Sequence, residues 1–284
     1  MKLGSTSWVL VPAPGTDPIL GRIDRAVELG LSVISVGFRD PAQRTPEYMQ
    51  KVAEYAAKKG IELRLGGGGR IGSADPEERK AEVERVINDL LEVNKHTGIK
   101  FSSFANGPMP HNRWTTDPPM GERIDIIGEN LAIIGDAIRQ AGMTLGLENH
   151  CDYRGWECAA MLAKANRPNV MAQLDTGNPF TVFEEPVDCA KAMAKYVVSC
   201  HLKDIKVTPL VGNPWYGTRA ENAILGQGHV DNVAICKILQ EQAPDPASLA
   251  LMVEPLTLKP EDDPNQYLMG SLTWAREKLA RFLS

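Results

Sequence analysis

Four residues able to hold a metal close four apolar runs in the second half of the chain. Glu148 ends MTLGLE, Asp175 ends VMAQLD, His201 ends VVSCH and Glu254 ends LALMVE. Side chains alternate across a strand, so residues two apart share a face. On this register Glu148 faces with Gly146 and His150, Asp175 with Met171 and Gln173, His201 with Ser199 and Lys203, and Glu254 with Met252. Leu145, Leu147, Leu174, Leu251 and Val253 take the opposite register, which suits packing beneath helices. The four ligand-type residues are therefore expected to converge. Three carboxylates and an imidazole brought together repel and desolvate one another, which raises the acids' pKa values. A divalent cation removes that conflict. An oxygen-rich set with one imidazole suits Mn²⁺ first, with Mg²⁺, Co²⁺, Zn²⁺ and Fe²⁺ also admitted. Pairing with a separate Lys, Arg or backbone group would explain any one of these residues alone. It is a poor account of four in series.

The elements that must position these residues alternate along the chain. Strands are predicted at Lys2–Ser7, Ser32–Gly37, Glu62–Leu65, Ile99–Ser103, Met143–Glu148, Val170–Asp175, Val197–Leu202 and Leu249–Glu254. Helices are predicted near 17–30, 44–59, 75–97, 121–141, 155–166, 184–196, 231–243 and 264–283. Eight strands, each followed by a helix, are the pattern of a (β/α)8 TIM barrel, here one domain over residues 1–284. Asp75-Pro76-Glu77-Glu78 is a helix start, with a cap, a first-turn proline and two acids at the positive end. Val83, Val86, Ile87, Leu90 and Leu91 continue it at helical spacing, and Gly98 ends it. Asp263-Pro264 starts the last helix, and Gly30, Gly60 and Gly142 stand where earlier ones should stop.

Two long loops follow strand ends, FSSFANGPMPHNRWTTDPPM after the fourth strand and Asp204 to about Val230 after the seventh. Their Trp114, Trp215 and Tyr216 are candidates to wall a pocket. The run Gly66–Gly69 before Arg70 lacks the spacing of a phosphate-binding loop and is expected to be a turn that leaves room for substrate.

The chain of 284 residues is 43% hydrophobic and 24% charged, enough for one large core. Its formal net charge of −5 and the lack of a basic block argue against a nucleic-acid partner. Five cysteines, odd in number and without CxxC, are read as reduced thiols in a cytoplasmic protein. The N-terminal MKLGSTSWVL has no signal-peptide apolar core, and no apolar run is long enough to cross a membrane.

LGLENH at 145–150, QLDTGNP at 173–179, CHLKD at 200–204, ILGQGHVD at 224–231 and MVEP at 252–255 together resemble the xylose isomerase-like barrel superfamily. That superfamily includes sugar-phosphate isomerases and epimerases, ketose 3-epimerases, inosose dehydratase and dehydroshikimate dehydratase. The resemblance covers essentially the whole chain. It implies that Glu148, Asp175, His201 and Glu254 are metal ligands, and that Glu148 and Glu254 are also the acid–base pair. Metal on a carbonyl and a neighbouring hydroxyl acidifies the adjacent C–H and stabilises an enediolate. Proton return inverts or isomerises; loss of a leaving group or of CO₂ makes the enzyme a lyase. The expected activity is a metal-dependent isomerase or epimerase of a small sugar or sugar acid. A dehydratase or decarboxylase of a keto-sugar acid is the alternative.

His150 is expected to reach substrate or orient Glu148, and Lys203 to bind substrate or pair with an acid. Relatives often carry His three residues after the Asp ligand. Asn178 stands there in this chain, keeping hydrogen bonding but not proton transfer. Asp204 is expected to anchor a loop, and the glycines of Gly226-Gln227-Gly228 to make a tight turn. His96, His111 and His229 need no catalytic role. An abasic-site endonuclease shares this barrel but needs more ligand histidines than five and a basic face. A non-catalytic sugar-binding barrel is the third class. A homo-oligomer is compatible with the pattern.

Overall fold

The computed structural model describes residues 1–106, 111–114, 117–212 and 217–284, without the side chains of His111 and Asn112. Trp215 and Tyr216 lie outside the described residues. The strands are β1 (Lys2–Ser5), β2 (Val33–Val36), β3 (Glu62–Gly69), β4 (Phe101–Asn106), β5 (Thr144–Glu148), β6 (Val170–Asp175), β7 (Val197–Leu202), β8 (Asp204–Pro209), β9 (Thr218–Ala223) and β10 (Ala250–Val253). The helices are α1 (Pro18–Glu28), α2 (Pro46–Lys59), α3 (Pro76–Thr97), α4 (His111–Trp114), α5 (Met120–Ile138), α6 (Gly155–Ala165), α7 (Pro186–Met193), α8 (Asn232–Gln242) and α9 (Pro264–Lys278). Eight strands close a parallel barrel in the order β1-β10-β7-β6-β5-β4-β3-β2. The expected (β/α)8 architecture is therefore present.

Local chemistry sets the helix ends. The Asp75 carboxylate accepts the N–H groups of Glu77 and Glu78, Asp17 those of Ile19 and Leu20, and Asp263 that of Asn265. Each such cap is worth about 1 kcal/mol. Gly60, Gly98 and Gly142 end their helices at φ of 72°, 70° and 66°, where a Cβ would be strained.

The register separates two apolar layers. Leu145, Leu147, Leu174, Leu251 and Val253 are buried with the helices in one continuous core. Val33, Ala250 and Met252 form a small separate cluster. The alternation inferred from sequence thus holds on β5, β6 and β10. Among the described residues no helix is long and apolar enough to cross a membrane.

Two expectations are corrected. Gly66–Gly69 is not a turn. It continues β3, with Gly66, Gly67, Gly68 and Gly69 opposite Ser103, Phe104, Ala105 and Asn106 of β4. Glycine disfavours a strand by its entropy, but pairing with β4 overrides that local preference. The segment after β7 is not wholly a loop either, because β8 and β9 form an antiparallel hairpin from Asp204↔Ala223 to Pro209↔Thr218.

Asp204 ties the base of this hairpin to the following turn, as expected. Its carboxylate accepts the N–H groups of Ile205, Gly226, Gly228 and Val230. Gly226 has φ 83°, and a Cβ there would come within 2.0 Å of the Trp274 indole nitrogen. The turn thus requires glycine on two counts.

Candidate metal centre and active site

β5, β6, β7 and the end of β10 deliver the four ligand-type residues to one point. One donor atom from each of Glu148, Asp175, His201 and Glu254 can be chosen so that all lie within 4.8 Å of one another. Register explains this: Asp175 lies directly opposite His201 on the neighbouring strand. Met252 lies opposite His201 on the other side, so Glu254 projects from the same face two residues on.

His201 Nδ1 is the hub. It lies 3.0 Å from Glu254 Oε2, 3.6 Å from Glu148 Oε1 and 3.8 Å from Asp175 Oδ2. None of these approaches has hydrogen-bond alignment, and Nδ1 and Asp175 Oδ2 are buried without a hydrogen-bond partner. A cation would take the lone pair of Oδ2, which faces the Lys203 ammonium at 2.7 Å, and that of Nδ1 once its proton is lost. A donor set of three carboxylates and one imidazole, converging on one buried point, fits a divalent cation.

Neighbouring groups decide which oxygen each acid offers. Asp175 Oδ1 accepts the N–H groups of Gly177 and Asn178, each at 2.9 Å, so Oδ2 is left facing the cluster. The Asp175 backbone is clamped by Asn149, whose amide donates to the Asp175 carbonyl and accepts its N–H, both at 2.8 Å. Glu254 Oε1 accepts the Trp8 indole N–H at 3.3 Å, which turns Oε2 to His201. Asn149 and Trp8 were not singled out from sequence. Trp8 had a readable signal, an aromatic residue just past a strand end.

Lys203 pairs with two of the acids and is not among the residues lining the cavity over the quartet. Its Nζ lies 2.7 Å from Asp175 Oδ2 and 3.2 Å from Glu254 Oε2, and donates to Asn178 Oδ1 at 3.1 Å. Asn178 is buried and holds this ammonium in place. Trp114 is 62% exposed and packs edge-on against Phe183 with ring centroids 6.0 Å apart. It is not among the residues lining the cavity over the quartet.

Burial is the largest influence on each charged group here and opposes its ionisation. It prevails at Asp175, whose carboxyl is raised although Lys203 pulls it down. At Glu254 burial is overcome by His201 and Lys203, which hold the carboxyl well below its usual range. At Glu148 burial is overcome mainly by His201, and the carboxyl is lowered. His201 is raised well above an ordinary imidazole, because Glu254 and Glu148 outweigh its burial. Lys203 is raised by Asp175 and Glu254 against its burial. Without a metal the acids are therefore balanced by one ammonium and one imidazolium.

His150 lines the cavity beside Glu148. Burial lowers its pKa, but Cys151 and Glu148 outweigh that and draw it up to about 9. Its Nδ1, however, accepts the Cys151 backbone N–H at 2.9 Å, a bond the imidazolium would lose. That bond favours a neutral ring with its proton on Nε2. His229 instead accepts the Val207 N–H at 3.2 Å, a structural role in the hairpin.

The cavity above Glu148, His150, His201 and Glu254 has a volume of about 1020 Å³. A second cavity of about 600 Å³ surrounds Glu62, Arg64 and Phe101 at the N-terminal ends of the strands, and no quartet member lines it.

The family model described as xylose isomerase-like TIM barrel matches residues 23–278. The chain belongs to that family. A curated relative, the uncharacterized protein YihM of Escherichia coli K12, is 20% identical over 197 residues, 64% of this chain and 59% of that protein. The match thus spans less than two thirds of that relative's length. An L-ribulose 3-epimerase structure aligns with a TM-score of 0.77 at 15% identity over 99% of this chain and 95% of its own. The IolI protein with a bound zinc atom aligns with a TM-score of 0.76 at 17% identity over the whole of both chains. At these identities the likeness is one of fold.

Proposed function

We propose that this family member is a divalent-metal-dependent isomerase or epimerase of a small sugar or keto-sugar, working through an enediolate. The convergence of Glu148, Asp175, His201 and Glu254 beneath a cavity at the C-terminal end of the barrel carries this reading. The zinc in IolI and the activity named for the L-ribulose 3-epimerase support it from the fold side. Mn²⁺ is our first choice of metal from the oxygen-rich set. When bound, the cation supplies Lewis acidity that lowers the pKa of a C–H beside the substrate carbonyl.

The protein's own groups do the rest. β10 and β5 flank β7 and β6 in the barrel order, so Glu254 and Glu148 stand on either side of His201 and Asp175. A sugar bound between them would have one glutamate on each face of the reacting carbon. One glutamate removes the C–H proton and the other returns one, which inverts the carbon or moves the carbonyl. Trp8 keeps Glu254 Oε1 occupied, and Lys203 and His201 hold the carboxyl ionised, the form from which a base must start. His150, with Nε2–H directed by the bond at Nδ1, is placed to donate to a substrate hydroxyl. Asn178 acts through Lys203.

Proton NMR in D₂O on metal-reconstituted protein, screened over ketoses, ketose phosphates and keto-sugar acids, tests this. The expected result is deuterium at one carbon with the carbon count retained. Release of CO₂ or water without epimerisation of any ketose would replace the isomerase with a lyase. No C–H exchange with any metal would end the enolisation reading.

A further inference from the structure

The wall of the cavity between β2 and β3 has an unusual construction. β2 ends at Val36, opposite Leu65, while β3 runs on through Gly69. Gly66–Gly69 therefore has β4 as its only strand partner among the described residues, and the side toward β2 is an open edge. In a parallel ladder alternate residues turn their N–H and C=O toward opposite neighbours, so part of this run presents backbone polar groups to that edge. Arg85 takes one of these groups, donating to the Gly68 carbonyl at 3.1 Å. Gly66, Gly67 and Gly68 line both the 1020 Å³ cavity and an adjoining one of about 390 Å³. The larger cavity lies at the top of the ~300–1,000 Å³ range typical of small-molecule sites.

Arg39, just past the end of β2, lines both cavities. The other two guanidinium groups on the main cavity wall are committed. Arg70 pairs with Glu78 at 2.6 Å, and Arg85 pairs with Glu82 at 3.0 Å and Asp89 at 2.8 Å. Arg39 makes no ion pair or hydrogen bond among the described residues. Of the three guanidinium groups on this wall, Arg39 is the one not already matched by a carboxylate among the described residues. A single free guanidinium is matched by one carboxylate, which it can bind by two parallel N–H···O bonds. A phosphate dianion calls for more cationic donors than this rim has free.

We propose that the substrate is a sugar acid. Its carboxylate pairs with Arg39, its hydroxyls bond along the open glycine edge of β3, and its carbonyl end lies over the Glu148–Asp175–His201–Glu254 quartet. This rests on the enolisation reading for the carbonyl end, but the anion site is testable without turnover.

Titration calorimetry with D-gluconate and D-glucitol tests it. These six-carbon chains differ in carboxylate against alcohol, and neither has a carbonyl to react. Wild type, Arg39→Leu and Arg39→Lys are each measured with Mn²⁺ and with EDTA, after circular dichroism and thermal melts establish that the variants fold. Wild type should bind gluconate at least tenfold more tightly than glucitol. Arg39→Leu should lose tenfold or more for gluconate in both metal states, and nothing for glucitol. Arg39→Lys should fall between, because it keeps the charge but not the fork. Equal affinity for the two probes, no binding of either, or gluconate affinity unchanged in Arg39→Leu would overturn the proposal. Tenfold tighter binding of D-glucitol 6-phosphate, with the same dependence on Arg39, would overturn the carboxylate in favour of a phosphate. Deuterium exchange into neutral ketoses would survive any of these failures, so the two readings fail separately.

Discussion

Replacing Lys203 by Met probes the balance of charge in the quartet. The Lys203 side chain is 4% exposed and that of Asp175 is 0% exposed, with Nζ and Oδ2 2.7 Å apart. At an effective dielectric of about 20, unit charges at that distance attract by roughly 6 kcal/mol, part of which desolvation offsets. Removing one partner of a buried pair typically costs about 3–5 kcal/mol, and that is the loss expected for metal-free Lys203→Met at neutral pH. Asp175 is already raised by burial, and loss of the ammonium raises it further. A carboxyl whose folded pKa exceeds its unfolded value costs nothing below the unfolded pKa, near about 4. It destabilises progressively as pH rises from there through the folded pKa. The gap between variant and wild type should therefore narrow on acidification from neutral pH. Mn²⁺ should also narrow it, because the dication supplies the charge that Lys203 gave and so binds the variant more tightly than wild type; at saturating metal each tenfold difference in Kd closes the gap by about 1.4 kcal/mol. Urea denaturation at neutral and mildly acidic pH, with EDTA and with Mn²⁺, measures all three effects. A metal-free variant within about 0.5 kcal/mol of wild type at neutral pH, or a gap that widens with Mn²⁺, would refute the reasoning.

Glu148→Gln and Glu254→Gln should each slow substrate C–H exchange by about 10²–10⁴-fold with an unchanged circular dichroism spectrum; NMR in D₂O reads the exchange. Metal binding near neutral pH should release about one proton, because Glu254 and Glu148 hold His201 protonated in the metal-free protein and a ligand imidazole must be neutral. Calorimetry in buffers of different ionisation enthalpy counts that proton, and Mn²⁺ affinity should weaken as pH falls below the raised His201 pKa. Asp204→Ala strips a carboxylate that accepts four backbone N–H groups and should lower stability by about 3–5 kcal/mol, reading two or so of these lost charged bonds as uncompensated. A denaturant midpoint unchanged in that variant would remove its anchoring role.

Much of the barrel was legible because the signals are local. The Asp75 and Asp263 caps, the stops at Gly60, Gly98 and Gly142 and the alternation along β5, β6 and β10 involve residues a few positions apart. Gly66–Gly69 misled because glycine alone reads as a turn, and only β4, more than thirty residues away, makes it a strand. The β8–β9 hairpin was hidden for a related reason: TRAENA has no strong alternation, and its pairing partner decides its form.

The sequence by itself determined the quartet and its inward register, because strand period and residue type are properties of short segments. Only the tertiary structure decided how the four side chains are aimed. Asn149 clamps the Asp175 backbone, Gly177 and Asn178 occupy one Asp175 oxygen, and Trp8 occupies one Glu254 oxygen. It also set Lys203 against Asp175 and Glu254 and left Arg39 as the guanidinium at the rim without a partner among the described residues. The physical reason is that hydrogen bonds and ion pairs depend on tenths of an ångström between segments far apart in the chain. Barrel closure sets those distances, and no spacing along the sequence records them.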